Sequence, residues 1–136
     1  MKRILLFVTC LTLTYNWTNA QINPAKIDII RDSFGVPHIF GKTDPDVAYG
    51  LAWAHAEDDF GTIQQSLMAG KSMLAQYQGK KGASIDYIIH LLRIPELVEA
   101  KYESDLSPAF IKLLEGYAAG LNAYATAHPK EVLLKK

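Results

Sequence analysis

The stretch from Ile27 to Phe60, IDIIRDSFGVPHIFGKTDPDVAYGLAWAHAEDDF, changes its chemistry halfway along, and that change limits what the chain can fold into. Its first part favours extended backbone. Ile27, Ile29 and Ile30 are β-branched, and the run from Lys26 to Ile30 alternates before it becomes apolar. Asp32-Ser33-Phe34-Gly35 reads as a turn, because an Asp in first position accepts hydrogen bonds from nearby backbone and Gly35 tolerates positive φ. Val36 to Phe40 reads as a second short strand. Pro37 has no N–H to give to a ladder, which confines it to a strand start or an edge. The two runs together predict a hairpin. Gly41 to Asp44 closes the strand. Thr43 or Asp44 then caps a helix that carries Pro45 in first position and Asp46 in its first turn.

The rest of the chain is helical in pattern. Val47, Leu51, Ala54 and Asp58 share one stripe, with Ala48, Ala52 and His55 beside it. The pattern continues through Ile63, Leu67 and Leu74 and predicts a helix to about Tyr77, broken near Gly50, Gly61 or Gly70, since each glycine weakens it by about 1 kcal/mol relative to alanine. Gly79 to Gly82 is expected as a loop, and Ser84 as the cap of a helix bearing Ile85, Ile88, Ile89 and Leu92. Pro95 ends that helix or opens a short one, Glu96 to Tyr102. Ser107-Pro108 opens the cleanest amphipathic segment, with Phe110, Leu113, Leu114, Tyr117, Leu121 and Tyr124 on one face, and His128-Pro129 closes it. The expected fold class is therefore α+β: an N-terminal β-hairpin followed by several helices. Glu131 to Lys136 carries no stop signal for a fold and reads as an interruption.

Residues 1–20 have the layout of an export leader. Lys2 and Arg3 precede the apolar run Ile4 to Leu13, and Thr18-Asn19-Ala20 suits cleavage after Ala20. The apolar run is shorter than the roughly 20 residues a membrane-spanning helix needs. Lipid attachment at Cys10 is disfavoured by Thr9 before it. The expected organisation is a signal peptide over 1–20 and one partial domain over 21–136, in a periplasmic or secreted protein. The single cysteine falls in the leader, which excludes a disulfide scaffold. The chain has 14 basic and 14 acidic residues, so no basic excess draws it to nucleic acid or to an anionic membrane.

Two ordered blocks carry a family resemblance: Arg31-Asp32-Ser33-Phe34-Gly35-Val36-Pro37-His38-Ile39 with Asp46 to Asp58, and the later Gly116-Tyr117-Ala118-Ala119-Gly120-Leu121-Asn122-Ala123-Tyr124. Together they resemble the start of the penicillin acylase family, which includes penicillin, cephalosporin and acyl-homoserine-lactone acylases. Asp59 stands where many members carry Arg. The resemblance implies an αββα N-terminal-nucleophile hydrolase, of which this chain would be an incomplete piece, the front of the first (alpha) chain. It implies an exported precursor cut into two chains, a missing second (beta) chain as partner, and an acyl amide as substrate. The attacking group would be the N-terminal Ser of the second chain, whose terminal amine, with a pKa near 8, serves as base. Ser33, Ser66, Ser72, Ser84, Ser104 and Ser107 are none of them followed by Asn, as that nucleophile is, and no G-x-S-x-G elbow is present. No catalytic, cofactor-binding or metal residue is therefore assigned in this chain. Calcium is implied by the family, with its ligands outside these residues. A small exported helical binding module without catalysis is the alternative.

Several residues still invite roles. Arg31 and Asp32 flank the turn, either as a buried pair fixing the hairpin or as part of a solvated turn, and in both cases the role expected is structural. His38 is expected as a satisfied structural histidine, since no nucleophile can be identified beside it. His55 and Asp59 lie four apart and share a helix face while Glu57 points elsewhere; two ligands are too few for a dedicated metal site, and a polar or packed face is the reading preferred. Tyr49, Trp53, Tyr117 and Tyr124 are expected as core and interface aromatics.

Overall fold

The computed structural model describes residues 22–134; the expected leader, residues 1–20, lies outside them. A short 3-10 turn, Pro24–Lys26, is capped by Asn23 and leads into an antiparallel hairpin of β1 (Asp28–Arg31) and β2 (Pro37–Phe40). The register sets Asp28 opposite Phe40 and Arg31 opposite Pro37. Five helices follow: α1 (Asp44–Gly70), the single turn α2 (Ala75–Gln78), α3 (Lys80–Leu91), α4 (Ile94–Asp105) and α5 (Pro108–Ala127). The described part is thus mostly helical with one two-stranded sheet, in line with the hairpin-then-helices reading. Among the described residues no helix is long and apolar enough to cross a membrane.

The hairpin turn follows its local chemistry. Asp32 Oδ1 accepts from the backbone N–H of Phe34 and of Val36, both at 2.9 Å, and Gly35 takes φ +84°. The start of α1 is a reciprocal cap: Thr43 Oγ1 accepts from Asp46 N, and Asp46 Oδ2 accepts from Thr43 N at 3.1 Å. Ser107 likewise accepts from Phe110 N at the start of α5, and His128 follows its last turn.

Packing differs from the expected stripe. Val47 and Leu51 remain more than a third exposed, and His55 and Asp58 face outward. The buried positions are Ala48, Ala52, Ala56 and Phe60, each four residues on, together with Tyr49, Gly50, Ala54 and, near the end of the helix, Met68. The reason is proximity. α1 is flanked by α5 on one side and the hairpin on the other, and at both contacts the approach is too close for long side chains. A Cβ at Gly120 would collide with the carbonyl oxygen of Tyr49, and one at Gly116 with that of Pro45. On the hairpin side, a Cβ at Gly50 would lie 2.6 Å from Ile39 Cγ2 and 2.9 Å from Ile27 Cγ2. Small residues let backbones meet, so they hold the interior.

The core joins Ala52, Ala56 and Phe60 of α1 to Leu121 and Tyr124 of α5, with Trp53, Ile63, Tyr117, Ala125 and Val132 against them. Tyr124 makes edge contacts to Trp53 and Phe60, with ring centres 5.3 and 5.1 Å away, and stacks on His128 at 4.1 Å. The expected aromatic core is therefore present. The expected apolar face of α5 is buried only in its second half, since Phe110 is exposed.

Three boundaries move. α1 stops at Gly70, one of the three glycines where a break was expected, rather than running on to near Tyr77, and Ser72 takes φ +55° in the turn that follows. Inside α1, Asp59 leaves the helical region (φ −160°, ψ 75°) and its carboxylate accepts from Thr62 N at 3.0 Å, so it caps a second helical segment within the first. Lys80, Lys81 and Gly82 are helical rather than a loop, and α3 begins at Lys80 instead of after Ser84. The cause is tertiary. Gly82 is buried where a Cβ would stand 2.7 Å from the Leu74 carbonyl carbon, and Asp86 accepts from Leu74 N and Ala75 N, both at 2.8 Å. Together these contacts fix α3 to the preceding turn from its first residues.

Candidate functional site

The polar residues of the first sequence block converge where the hairpin meets α1. Arg31, at the end of β1, reaches across the helix. Its guanidinium lies 3.1 Å from Glu57 Oε2 and 2.9 Å from Asp58 Oδ1, and it donates to Gly35 O at 2.9 Å. Glu57 is shared: its second oxygen accepts from Trp53 Nε1 at 2.9 Å, one helical turn earlier. The hydrogen bond and charge of Glu57, with those of Asp58, hold Arg31 further into its protonated range than usual. The charges are only partly covered, so water weakens each pair; with one guanidinium nitrogen against both carboxylates and the other on Gly35 O, the arrangement supplies orientation more than stability.

Asp32 extends this network. Its carboxylate is held below the usual carboxylate range, mainly by the Val36 N–H, then by the Phe34 N–H and by His38, whose Nε2 lies 3.4 Å from Oδ2. The Arg31–Asp32 pair is thus neither fully buried nor a free solvated turn. Arg31 ties the hairpin to α1, and Asp32 ties the turn to itself. His38 is exposed, with a carboxylate partner and no nucleophile hydrogen-bonded to it.

His55 and Asp59 do not come together. His55 Nδ1 pairs with Tyr117 Oη of α5 at 3.1 Å, while Asp59 caps the second segment of α1, and the Thr62 bonds keep its carboxylate below the usual range. Burial pushes the Tyr49, Tyr117 and Tyr124 hydroxyls up, and Glu131 adds to the effect at Tyr124. Among the described residues there is no group of three or more His, Cys, Asp or Glu that could hold a metal ion, and no chemistry is routed through one.

The serines are used structurally or stand apart. Ser66 Oγ donates to Thr62 O, Ser104 Oγ to Lys101 O and to Asp105, and Ser107 caps α5. Ser72 Oγ is buried without a partner. Among the described residues no serine hydroxyl is hydrogen-bonded to a histidine, the Ser–base contact that this kind of catalysis needs. What the cluster does is mechanical: it fixes a strand pair against a helix through Arg31 and Glu57. Sequence reasoning left Glu57 pointing elsewhere. The Trp53–Glu57 spacing of four was the available signal for its role. Gln64 and Asp86 were missed because their partners are distant backbone groups, and spacing carries no sign of them.

Comparison with known proteins gives this arrangement a family. Residues 26–134 match the family described as penicillin amidase. Penicillin G acylase of Escherichia coli is 28% identical over 139 aligned residues, covering 96% of this chain and 16% of that protein. Acyl-homoserine lactone acylase PvdQ of Pseudomonas fluorescens is 28% identical over 111 residues, covering 76% of this chain and 14% of that protein. The chain therefore spans about a sixth or less of the length of these relatives. In fold it is similar to the thermostable penicillin G acylase of Alcaligenes faecalis, with a TM-score of 0.67 and 24% identity over 81% of this chain and 58% of that one. A match running from the hairpin through the last helix, on a fold shared with an acylase, means that the chain belongs to the penicillin amidase family.

Proposed function

We propose that this chain is the N-terminal scaffold of an exported acylase, a hydrolase that cleaves a linear amide between an acyl group and an amine such as a β-lactam nucleus or a homoserine lactone. The observation that carries this reading is the family match over residues 26–134 in a chain that spans so little of its relatives. The exposed apolar surface supports it. Ile30, Phe34, Val36 and Phe40 crowd the outer side of the hairpin, and both edges of its two-stranded sheet lack a further strand among the described residues. A sheet of two strands is marginal alone, and open edges with apolar neighbours call for further strands.

In this reading the attacking hydroxyl belongs to an N-terminal Ser on a second chain cut from the same precursor. That one relative is described as a penicillin acylase 2 proenzyme, from Pseudomonas sp., is consistent with such processing. The second chain would supply the amine base, the oxyanion donors and the acyl pocket. Calcium, as the resemblance implies, would be held by ligands outside residues 22–134. Residues 1–20 would direct the precursor to the periplasm or the exterior.

The test compares two samples, residues 21–136 alone and the complete gene product. The complete product should hydrolyse phenylacetyl or long-chain acyl amides, and residues 21–136 should not. Turnover by purified 21–136 would overturn the reading. A sharp cooperative melt of 21–136 with no acylase activity in the complete product would favour the binding module instead.

A further inference from the structure

After α5 the chain turns back along α1, and one side chain meets it. Gln64 Nε2 donates to Glu131 O at 3.1 Å, and Gln64 Oε1 accepts from Leu133 N at 2.9 Å. A backbone carbonyl and the N–H two residues on are the groups a neighbouring strand would satisfy, and here one carboxamide satisfies both. Gln64 is itself braced by donating to Phe60 O at 3.2 Å. Among the described residues the segment Glu131–Leu134 has few other holds: Glu131 N donates to His128 O at 3.0 Å, Tyr124 Oη lies 3.2 Å from Glu131 Oε2, and Val132 packs against the core. Beneath it runs an apolar groove of about 250 Å³, lined by Leu67, Met68, Met73, Val132 and Leu134, with Lys71 at the side.

We propose that Gln64 is a latch. Its carboxamide straps Glu131–Leu134 along this groove, and the strap opens as a unit, separately from the α1–α5 core. The physical basis is the contrast in holding forces. The α1–α5 contact is a close backbone-to-backbone packing with buried aromatics, whereas the strap depends on a few hydrogen bonds, each of modest net worth. Opening uncovers Met68 and the covered parts of Met73 and of Leu67, which is already half exposed, and it breaks the Tyr124 Oη–Glu131 bond while leaving the helical turns of Leu121 and Tyr124 in place. The inference does not rest on the acylase reading, because nothing in its test depends on hydrolysis.

Amide hydrogen exchange on the full chain tests it. Gln64→Ala should speed exchange at the Leu133 amide by about tenfold or more, as expected for losing its acceptor together with the bond that fixes Glu131, and should leave the amides of Leu121 and Tyr124 unchanged. Gln64→Glu keeps an acceptor for Leu133 N and should restore part of the protection. Leu133 exchange that Gln64→Ala leaves unchanged would overturn the latch, as would equal acceleration at Leu133 and Leu121, or a Gln64→Glu variant as fast as Gln64→Ala.

Discussion

The α1–α5 pair and the α3–α4 arm are built in opposite ways. The first buries Gly116, Gly120, Ala48, Ala52 and Ala56. The second exposes Ile85, Tyr87, Ile88, Leu91, Leu92, Leu97 and Val98, with Leu91 at 63%. Hydropathy ranks these two sets the wrong way round. What separates them is the presence of a partner: where two backbones meet, small residues make the interior, and where none is present, even Ile and Leu stay wet. So many exposed large apolar side chains on two consecutive helices are unusual for a self-contained surface. In the acylase reading it is the face the remaining polypeptide covers.

The strongest way to break the comparison is to change side-chain volume on both sides, adding it where backbones meet and removing it where side chains are wet. Gly120→Val drives a side chain into the Tyr49 carbonyl and should destabilise the chain by about 3 kcal/mol or more. Ile88→Ser in α3 should change stability by less than about 0.5 kcal/mol. Denaturant melts of both variants decide it, and similar midpoints would show that the two regions are not built differently. A smaller effect is expected where the arm joins the rest. Asp86→Ala orphans the N–H groups of Leu74 and Ala75 and should cost about 1–2 kcal/mol. Its mark should be faster amide exchange in α3 with α5 unchanged, and loss of protection in both would mean that the arm and core are one unit.

The smallest effect lies in the hairpin turn. Asp32 has a lower pKa folded than unfolded, so its contribution is present above the ordinary carboxylate value and is lost as pH falls through the depressed folded value. Protection of the Val36 amide should therefore decline on acidification into that range. Asp32→Asn should flatten the dependence. Protection that holds unchanged through acid in the parent chain would refute the role given to this carboxylate.

Local chemistry was legible in the sequence wherever it acts within a few residues. Asp32 with Gly35, Thr43 with Asp46, and Ser107 with Pro108 each announce a turn or a cap, and each is found in place. A break near Gly61 was legible from the glycines of this segment, and it falls two residues earlier, at Asp59, whose capping of Thr62 the apolar pattern around it masked. The buried face of α1 was not legible, because Val47 and Leu51 outrank alanine on any scale until the nearness of Gly120 and Gly50 to their neighbours is known. The early start of α3 depends on Asp86 reaching back to Leu74 and Ala75, a contact the amino-acid order does not encode locally. At the candidate site, Arg31 and Asp32 were recognisable as structural. The bond of Glu57 to Trp53 had a signal in their spacing of four, but its pairing with Arg31 emerges only once strand and helix are placed side by side.

The interruption at Asp59 has a mechanical consequence. An unbroken hydrogen-bonded rod passes twist from end to end, and this one is cut between the turns that grip the hairpin and the turns that carry Gln64. Torsion applied at one end can relax at the joint, so the turn of Glu57 that holds Arg31 and the turn of Gln64 sit on the same helix yet answer to separate loads.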